Sequence, residues 1–511
     1  MTTSDSATTG DGNGGDRRGT SSGETFRGGS LGGGSLGGGV AQIEAPTRDD
    51  NFVRGLSESI GGALGTHAVR PGRRFWFVAR IVIALTCFTL MLHWAEKSDC
   101  DNGNWVKLSQ YRHACYTDVV ALYNSEGLSE GKIPYVQAPV EYPVLTGAFM
   151  GLIGLPVHAY ATAHPGTNPY EWYYNLTAVA LGACAVASVI GLLLLRRKRP
   201  WDAAMFAASP ALLLTATVNW DLLAVAFAVF GLLAWSRRRP TLAAVLIALG
   251  TAAKLWPAFL LIPLLLLGWR ARKLGEAVYT VGVALLVWVV VNLPFILLYP
   301  HNWSQFFRLN ATRAVDWGTS WYIGTNVPHV FGPGIGIPGF RWMSEHINVV
   351  DTVSYLLFGL SIVAIAMLVH YAPRRPRLGQ LAFLIVAAFL IFSKVWSQQY
   401  VLWLLPLAVL ARPRWGAFVA WQLAEVCYFF AFSGELMRAS GKPIFPEGVF
   451  IIAALLRLAT VCVMCGFIVR DVMRPELDVV RQTYDDDPDG GVFDGAPDRE
   501  PADEFAFYPT A

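Results

Sequence analysis

Asp118, Lys254, Lys394 and Arg313 are charged residues set in apolar or aromatic surroundings, and their types define the chemistry open to them. Asp118 lies in "TDVVALY" (117–123), a possible helical turn that also carries Tyr123. A carboxylate beside aromatics suits a general base that takes a proton from a bound hydroxyl. Position alone serves a helix cap equally well, and Asp99 and Asp101 compete for the same role. Lys254 in "AKLWP" (253–257) and Lys394 in "SKVWSQQY" (393–400) repeat one context, a lysine with tryptophan two residues on. With Arg308, Arg313 and Arg341 they make a set of cations able to bind a phosphate where water is excluded. The alternative for each is an interface anchor that snorkels to the headgroups.

The elements that must position these residues are membrane helices. The chain has 511 residues, 54% hydrophobic and 15% charged, too little polar surface for a soluble globule of that size. Apolar runs at 75–94, 172–195, 242–253, 277–298, 353–369, 378–392, 415–432 and 448–469 approach the roughly 20 residues that span hydrocarbon. The expected fold is therefore an all-α polytopic membrane protein.

Lysine and arginine placement sets orientation, because short cytosolic loops hold the excess of both. Arg70, Arg73 and Arg74 precede the first run, and Glu96, Asp99 and Asp101 follow it. "RRKRP" (196–200), "SRRRP" (236–240), "RARK" (270–273), "PRRPR" (373–377), "RPR" (412–414) and Arg470 with Arg474 then recur, mostly two apolar segments apart. Both termini are expected in the cytosol and about twelve spans between them. The outward turns contain "TVNWDLL" (217–223), "AKLWP", residues 299–351, "SKVWSQQY" and residues 433–448, so the charged residues gather at the outer ends. Residues 141–163 break the parity. They are long enough to span, yet Pro143, Gly147, Gly151, Gly154 and Pro156 also allow a re-entrant or shallow arrangement.

The outer ends are rich in Trp and Tyr, and "DWGTSWYIGTN" (316–326) mixes them with hydroxyls and amides. An aromatic belt explains most of them. A sugar site has the same needs: an apolar platform for a ring face, and hydrogen bonds for its hydroxyls. Glu141, Tyr142, Trp220, Asp221, Trp256, Trp396, Gln398 and Tyr400 are the candidates for sugar and acceptor contact.

The order of "TDVVALY", "EYPVLTG" (141–147), "NWDLLAVAF" (219–227), "KLWPAFLLIPLLL" (254–266) and "SQQYVLWLLP" (397–406) resembles the GT-C membrane glycosyltransferases. Within them it is most similar to family 87, the polyprenyl-phosphate-mannose-dependent mannosyltransferases and related arabinofuranosyltransferases of actinobacterial envelopes. The likeness covers about residues 75–470. It implies an inverting transfer of mannose, or of arabinofuranose, from a polyprenyl phosphate to a glycolipid or glycan on the outer face of the plasma membrane. Asp118 matches the family's base in the first external loop. Lys254, Lys394 and Arg313 would stabilise the phosphate leaving group, which needs charge compensation and no proton. No cofactor or metal is implied beyond the lipid-linked donor, and nucleic acid is not an expected partner. Related sequences often show Tyr-Pro-Pro after the loop, where this chain has Tyr142-Pro143-Val144. His301, His329 and His346 are external candidates for the donor phosphate, each also readable as a loop residue.

A secondary transporter is the competing class, since twelve spans suit it, but no internal repeat relates the two halves. The two ends of the chain fall outside the likeness, which leaves 71–475 as the membrane domain. Residues 1–70, with "GGSLGGGSLGGG" at 28–39, are expected to be a disordered cytosolic tail. From Glu476 on, eleven acidic residues face only Arg481 and Arg499, a balance of −9, so the first 475 residues carry +12 of the formal +3. That acidic end, 476–511, is also expected to be disordered and solvated. Cys100 and Cys115 share the first external loop, where an oxidising compartment allows a bridge that spacing alone does not decide.

Overall fold

The computed structural model describes residues 49–61, 75–101, 105, 108–332 and 338–498. Most of the expected N-terminal tail and the last thirteen residues lie outside them. Apart from one isolated bridge between Pro134 and Ala138, the described residues form helices, turns and loops. The protein is an all-α polytopic membrane protein. Its helices include α1 (Asn51–Gly61), α2 (Phe75–Asp101), α3 (Asp118–Ser125), α4 (Val144–Ala163), α5 (Pro169–Leu195), α6 (Pro210–Thr215), α7 (Asp221–Ser236), α8 (Pro240–Ala253), α9 (Leu261–Arg270) and α10 (Leu274–Leu298). They continue with α11 (Gln305–Thr312), α12 (Ser320–Phe331), α13 (Ile347–Tyr371), α14 (Leu378–Phe392), α15 (Val401–Ala411), α16 (Trp415–Ala439) and α17 (Glu447–Met473).

Six helices of 25 to 27 residues, α2, α5, α10, α13, α16 and α17, are each long and apolar enough to cross a membrane. α4, of 20 residues, also qualifies by length and composition, and shorter helices pair: the six-residue α6 with α7, α8 with α9, and α14 with α15. Each pair bends at a polar turn, "TVNW", "KLW" or "SKVWSQQ", and returns to an arginine run. Six long helices and three such pairs give twelve helical legs between the arginine-rich end and the opposite end.

The parity break at 141–163 resolves through the contacts of α4. Its first turn is tied to the end of α8, where Thr146 Oγ1 donates to the Ala253 carbonyl at 2.7 Å. Near its other end, Tyr160 packs on Trp172 in the first turn of α5, with ring centroids 5.4 Å apart. Ala253 and Trp172 both lie at the end opposite the arginine runs, so α4 begins and ends there despite its 20 residues. Its small residues explain the placement. A Cβ built on Gly147 would lie 2.3 Å from the Tyr135 hydroxyl, and one on Gly154 would lie 3.2 Å from Leu128. The glycine face of α4 thus carries the loop that precedes it, with Tyr173 of α5 also 3.3 Å from a Cβ built on Gly154. Cys100 and Cys115 close that loop as a disulfide.

Two expected tails are folded where they are described. Residues 51–61 are the helix α1, held by Asp49 and Asp50, which bond Arg199 and the Trp415 N–H. Residues 475–498 form a strap across the arginine-rich ends of the helices. Arg377, fully buried, donates to both Asp478 oxygens at 2.7 and 3.1 Å and to the Leu410 and Ala411 carbonyls at 2.6 Å each. Arg196, also fully buried, grips Asp489 with both terminal nitrogens at 2.6 and 2.7 Å. The Leu378 N–H donates to Asp487 at 2.7 Å, and the Trp235 indole donates to the Gly490 carbonyl at 3.0 Å. Gly491 turns the strap at φ +61°, where a Cβ would strike the Trp235 carbonyl at 2.1 Å. The acidic sequence reads as disordered by itself because its partners are arginines assigned to other loops. Arg377→Met leaves Asp478 buried without its cation and is expected to cost about 3–5 kcal/mol. Thermal unfolding of the purified protein in detergent measures the loss.

Candidate active site

The loop that carries Asp118 is fastened to the turn between α6 and α7. Thr117 caps α3: its Oγ1 accepts from the Val119 N–H at 3.2 Å and donates to the Thr217 carbonyl at 2.6 Å. The Asp118 N–H donates to the Val218 carbonyl at 2.8 Å. Behind that turn, His93 of α2 bonds the Leu213 carbonyl through Nδ1 at 2.6 Å and the Thr217 hydroxyl through Nε2 at 2.7 Å. A carbonyl only accepts, so the partners assign the proton to Nδ1 and make Nε2 an acceptor. Thr217 then donates to His93 and accepts from Tyr174 at 2.9 Å. The turn is thereby locked from inside the bundle.

Asp118 presents its carboxylate at this junction. Oδ1 accepts from the Tyr116 hydroxyl at 2.5 Å, and Oδ2 accepts from the Asn219 amide at 2.7 Å. The same amide nitrogen donates to the Tyr142 hydroxyl, and the Tyr142 ring meets Trp220 edge-on with centroids 5.5 Å apart. The charge of Asp118 holds the Tyr116 hydroxyl far above its usual pKa. Asp118 itself is half-buried.

Lys254 ends α8 and points under Tyr142. It is 7% exposed, with Nζ 3.5 Å from Asp221 Oδ2, 4.5 Å from the centre of the Tyr142 ring and 6.0 Å from that of Tyr400. Asp221 is fully buried at the N-terminus of α7, and its Oδ1 accepts from the Trp403 indole at 2.6 Å. Trp403 stacks with Tyr400, centroids 3.9 Å apart, and with Trp256 at 5.8 Å. Arg313 follows α11 with 42% of its side chain exposed, 3.6 Å from Asp316, and lies within electrostatic reach of Asp118, Tyr142 and Tyr400. Asp118, Tyr142, Asp221, Lys254, Arg313 and Tyr400 therefore share one region, with the exposed Glu141 beside it.

Other sequence candidates lie elsewhere or play another part. Lys394 points away: it binds Asp351 at 2.8 Å and the Ala311 carbonyl at 3.3 Å, while its own carbonyl accepts the Asp316 N–H at 2.9 Å. These contacts fix the segment that carries Arg313. Trp396 is 1% exposed and lies against the Arg457 guanidinium at 4.4 Å, so its ring offers no sugar platform. Trp220 and Trp256 are buried as well, packed behind Tyr142 and Trp403. Gln398 lines a crevice with Thr215, Glu425 and Tyr428 that has no room for a water molecule. Arg308 bonds His301, Arg341 pairs with Glu345, and His346 stacks on Trp342. The His329 side chain is outside what is described.

Four positioning residues were not picked out by sequence reasoning. Asn219 and Tyr116 hold Asp118, Ser397 donates to Asp316 at 3.3 Å, and Arg457 donates to the Trp396 and Ser397 carbonyls at 3.0 Å each. Asn219 sat in the quoted "TVNWDLL" with no local signal to separate it from its neighbours.

Residues 148–395 match glycosyltransferase family 87. The match indicates a glycosyltransferase. It spans Asp221, Lys254, Arg313 and Lys394; the loop with Asp118 and the turn from Ser397 to Tyr400 flank it. No curated protein gives a significant match to the chain.

Glu126 supports the segment that delivers Tyr142. It is 6% exposed, and its Oε1 accepts from the Glu141 N–H at 2.9 Å. Burial pushes its pKa up to about 8, against the relief of that hydrogen bond. Between its ordinary value near 4.5 and 8, the folded protein keeps a proton that the unfolded chain releases, so this group lowers stability as pH rises. Glu126→Gln is expected to remove that fall, a slope of up to roughly 1.4 kcal/mol per pH unit. Melting temperatures of both proteins between pH 5 and 8 check the difference.

Proposed function

We propose that this glycosyltransferase moves mannose from polyprenyl-phosphate-mannose to a hydroxyl of an envelope glycolipid or glycan, with inversion, on the outer face of the plasma membrane. The observation that carries the reading is Asp118, half-buried, oriented by Tyr116 and Asn219, and facing the region of Lys254 and Arg313. In the reaction the acceptor hydroxyl gives its proton to Asp118 as its oxygen bonds the anomeric carbon. The bond from that carbon to the phosphate oxygen breaks, and the electron pair leaves with the phosphate. Arg313, partly exposed, and Lys254, whose ammonium sits on the Tyr142 ring, compensate the growing negative charge. Lys394 acts in this scheme through the backbone of the Arg313 segment. The arginine-rich end faces the cytosol by the bias of short loops, which puts Asp118 outside.

Asp118→Asn keeps the shape and removes the base. In membranes supplied with radiolabelled polyprenyl-phosphate-mannose, it is expected to lower incorporation about 10²–10⁴-fold at matched protein level. Incorporation from the arabinofuranosyl donor alone reassigns the sugar, and none from either donor with the wild-type chain overturns the reading.

Lys254 gives a second test that separates folding from chemistry. Lys254→Met strands Asp221 as a buried carboxylate and is expected to destabilise by about 3–5 kcal/mol. Adding Asp221→Asn should restore the melting temperature while transfer stays low. Recovery of transfer in the double variant would make the lysine only Asp221's counter-ion.

A further inference from the structure

Helix α1 is short, amphipathic and almost uncovered. At 100° per residue, Phe52, Leu56 and Ile60 share one face, with Val53 at its edge and Arg54 and Glu58 opposite. The apolar residues are 47%, 52% and 81% exposed. An exposed apolar stripe of this kind needs an occupant.

Three contacts fix the level at which it sits. Asp49 pairs with Arg199 at the arginine-rich end of α5, and its carbonyl accepts from Arg414 at 3.1 Å. Asp50 accepts the Trp415 N–H at 2.7 Å, so α1 starts where the membrane helix α16 starts. There the stripe is continuous with a lipid-facing one. A Cβ built on Gly416 would stand 3.6 Å from that of Phe52. Along α16, Ala420, Leu423, Cys427 and Phe430 then follow on one exposed face. Trp76 and Phe77, in the first turn of α2 at the same end of the bundle, are 65% and 51% exposed.

We propose that α1 lies in the plane of the membrane at the arginine-rich end, with Phe52, Leu56 and Ile60 sunk in the boundary between phospholipid headgroups and acyl chains. The apolar face then extends the lipid contact of α16, and Arg54 and Glu58 face water. The proposal is independent of the glycosyl-transfer reading and holds or fails without it.

The test uses the full chain in nanodiscs of phosphatidylglycerol and phosphatidylethanolamine, with p-benzoylphenylalanine replacing Leu56, Ile60 or, as the polar-face control, Glu58. All three positions are uncovered, so the replacements leave the fold intact. After irradiation, intact mass is expected to show phospholipid adducts at Leu56 and Ile60 several-fold above those at Glu58. Equal labelling at the three positions overturns the proposal. So do crosslinks from Leu56 and Ile60 to this chain or to a second copy in place of lipid. A Leu56→Glu, Ile60→Glu double variant should also be cut by trypsin at Arg54 several-fold faster than the parent chain, and an unchanged rate counts against the membrane-bound helix.

Discussion

A charged side chain inside a membrane bundle gives up its hydration and persists only if another charge replaces it. Every buried lysine and arginine among the described residues has a carboxylate within 3.5 Å. The pairs are Lys97 with Glu96, Arg196 with Asp489, Arg199 with Asp202, Lys254 with Asp221, Arg375 with Asp486, Arg377 with Asp478, Lys394 with Asp351, Arg412 with Asp471 and Arg457 with Glu425. Most join segments far apart in the sequence, so pairing fixes which helix ends meet.

The two ends of the bundle use that rule differently. At the arginine-rich end the carboxylates come mainly from the strap, and in the Arg377–Asp478 pair both partners also bond backbone groups at helix ends. At the opposite end the pairs brace the turns between helices. Arg457 bonds two successive carbonyls of the 393–400 turn, Ser397 passes the constraint to Asp316, and Asp316 faces Arg313. Lys254 differs from the rest. Its carboxylate is 3.5 Å away, and two aromatic faces replace further hydrogen bonds. Lys254 is thus held by one carboxylate and two rings, where Arg377 and Arg457 are also tied to backbone carbonyls.

The arginine runs made the bundle legible, because loop charge is a local property. Each run closes a leg where expected, and α4 falls outside the count for a reason present in its glycines. Asp118, Lys254 and Arg313 were legible as charges out of keeping with their surroundings. What escaped was pairing across distance: Asn219 with Asp118, the strap carboxylates with Arg196 and Arg377, and Lys394 with Asp351. A sequence gives the charge of a residue and not the direction of its side chain. Lys394 accordingly looked like a twin of Lys254, and the acidic end looked solvated. Trp396 was misjudged likewise, since a buried indole and a sugar platform have the same letters around them.

The strap also sets an order of events during synthesis. Residues 475–498 follow every membrane leg, yet they neutralise Arg196, at the end of the second leg, and Arg377, at the start of the ninth. Until they are made, those guanidiniums have no strap carboxylate and must stay hydrated at the membrane surface. The helix ends can then close only behind a chain whose legs are all in place. A chain ending before the strap would lack the carboxylates that Arg196 and Arg377 grip.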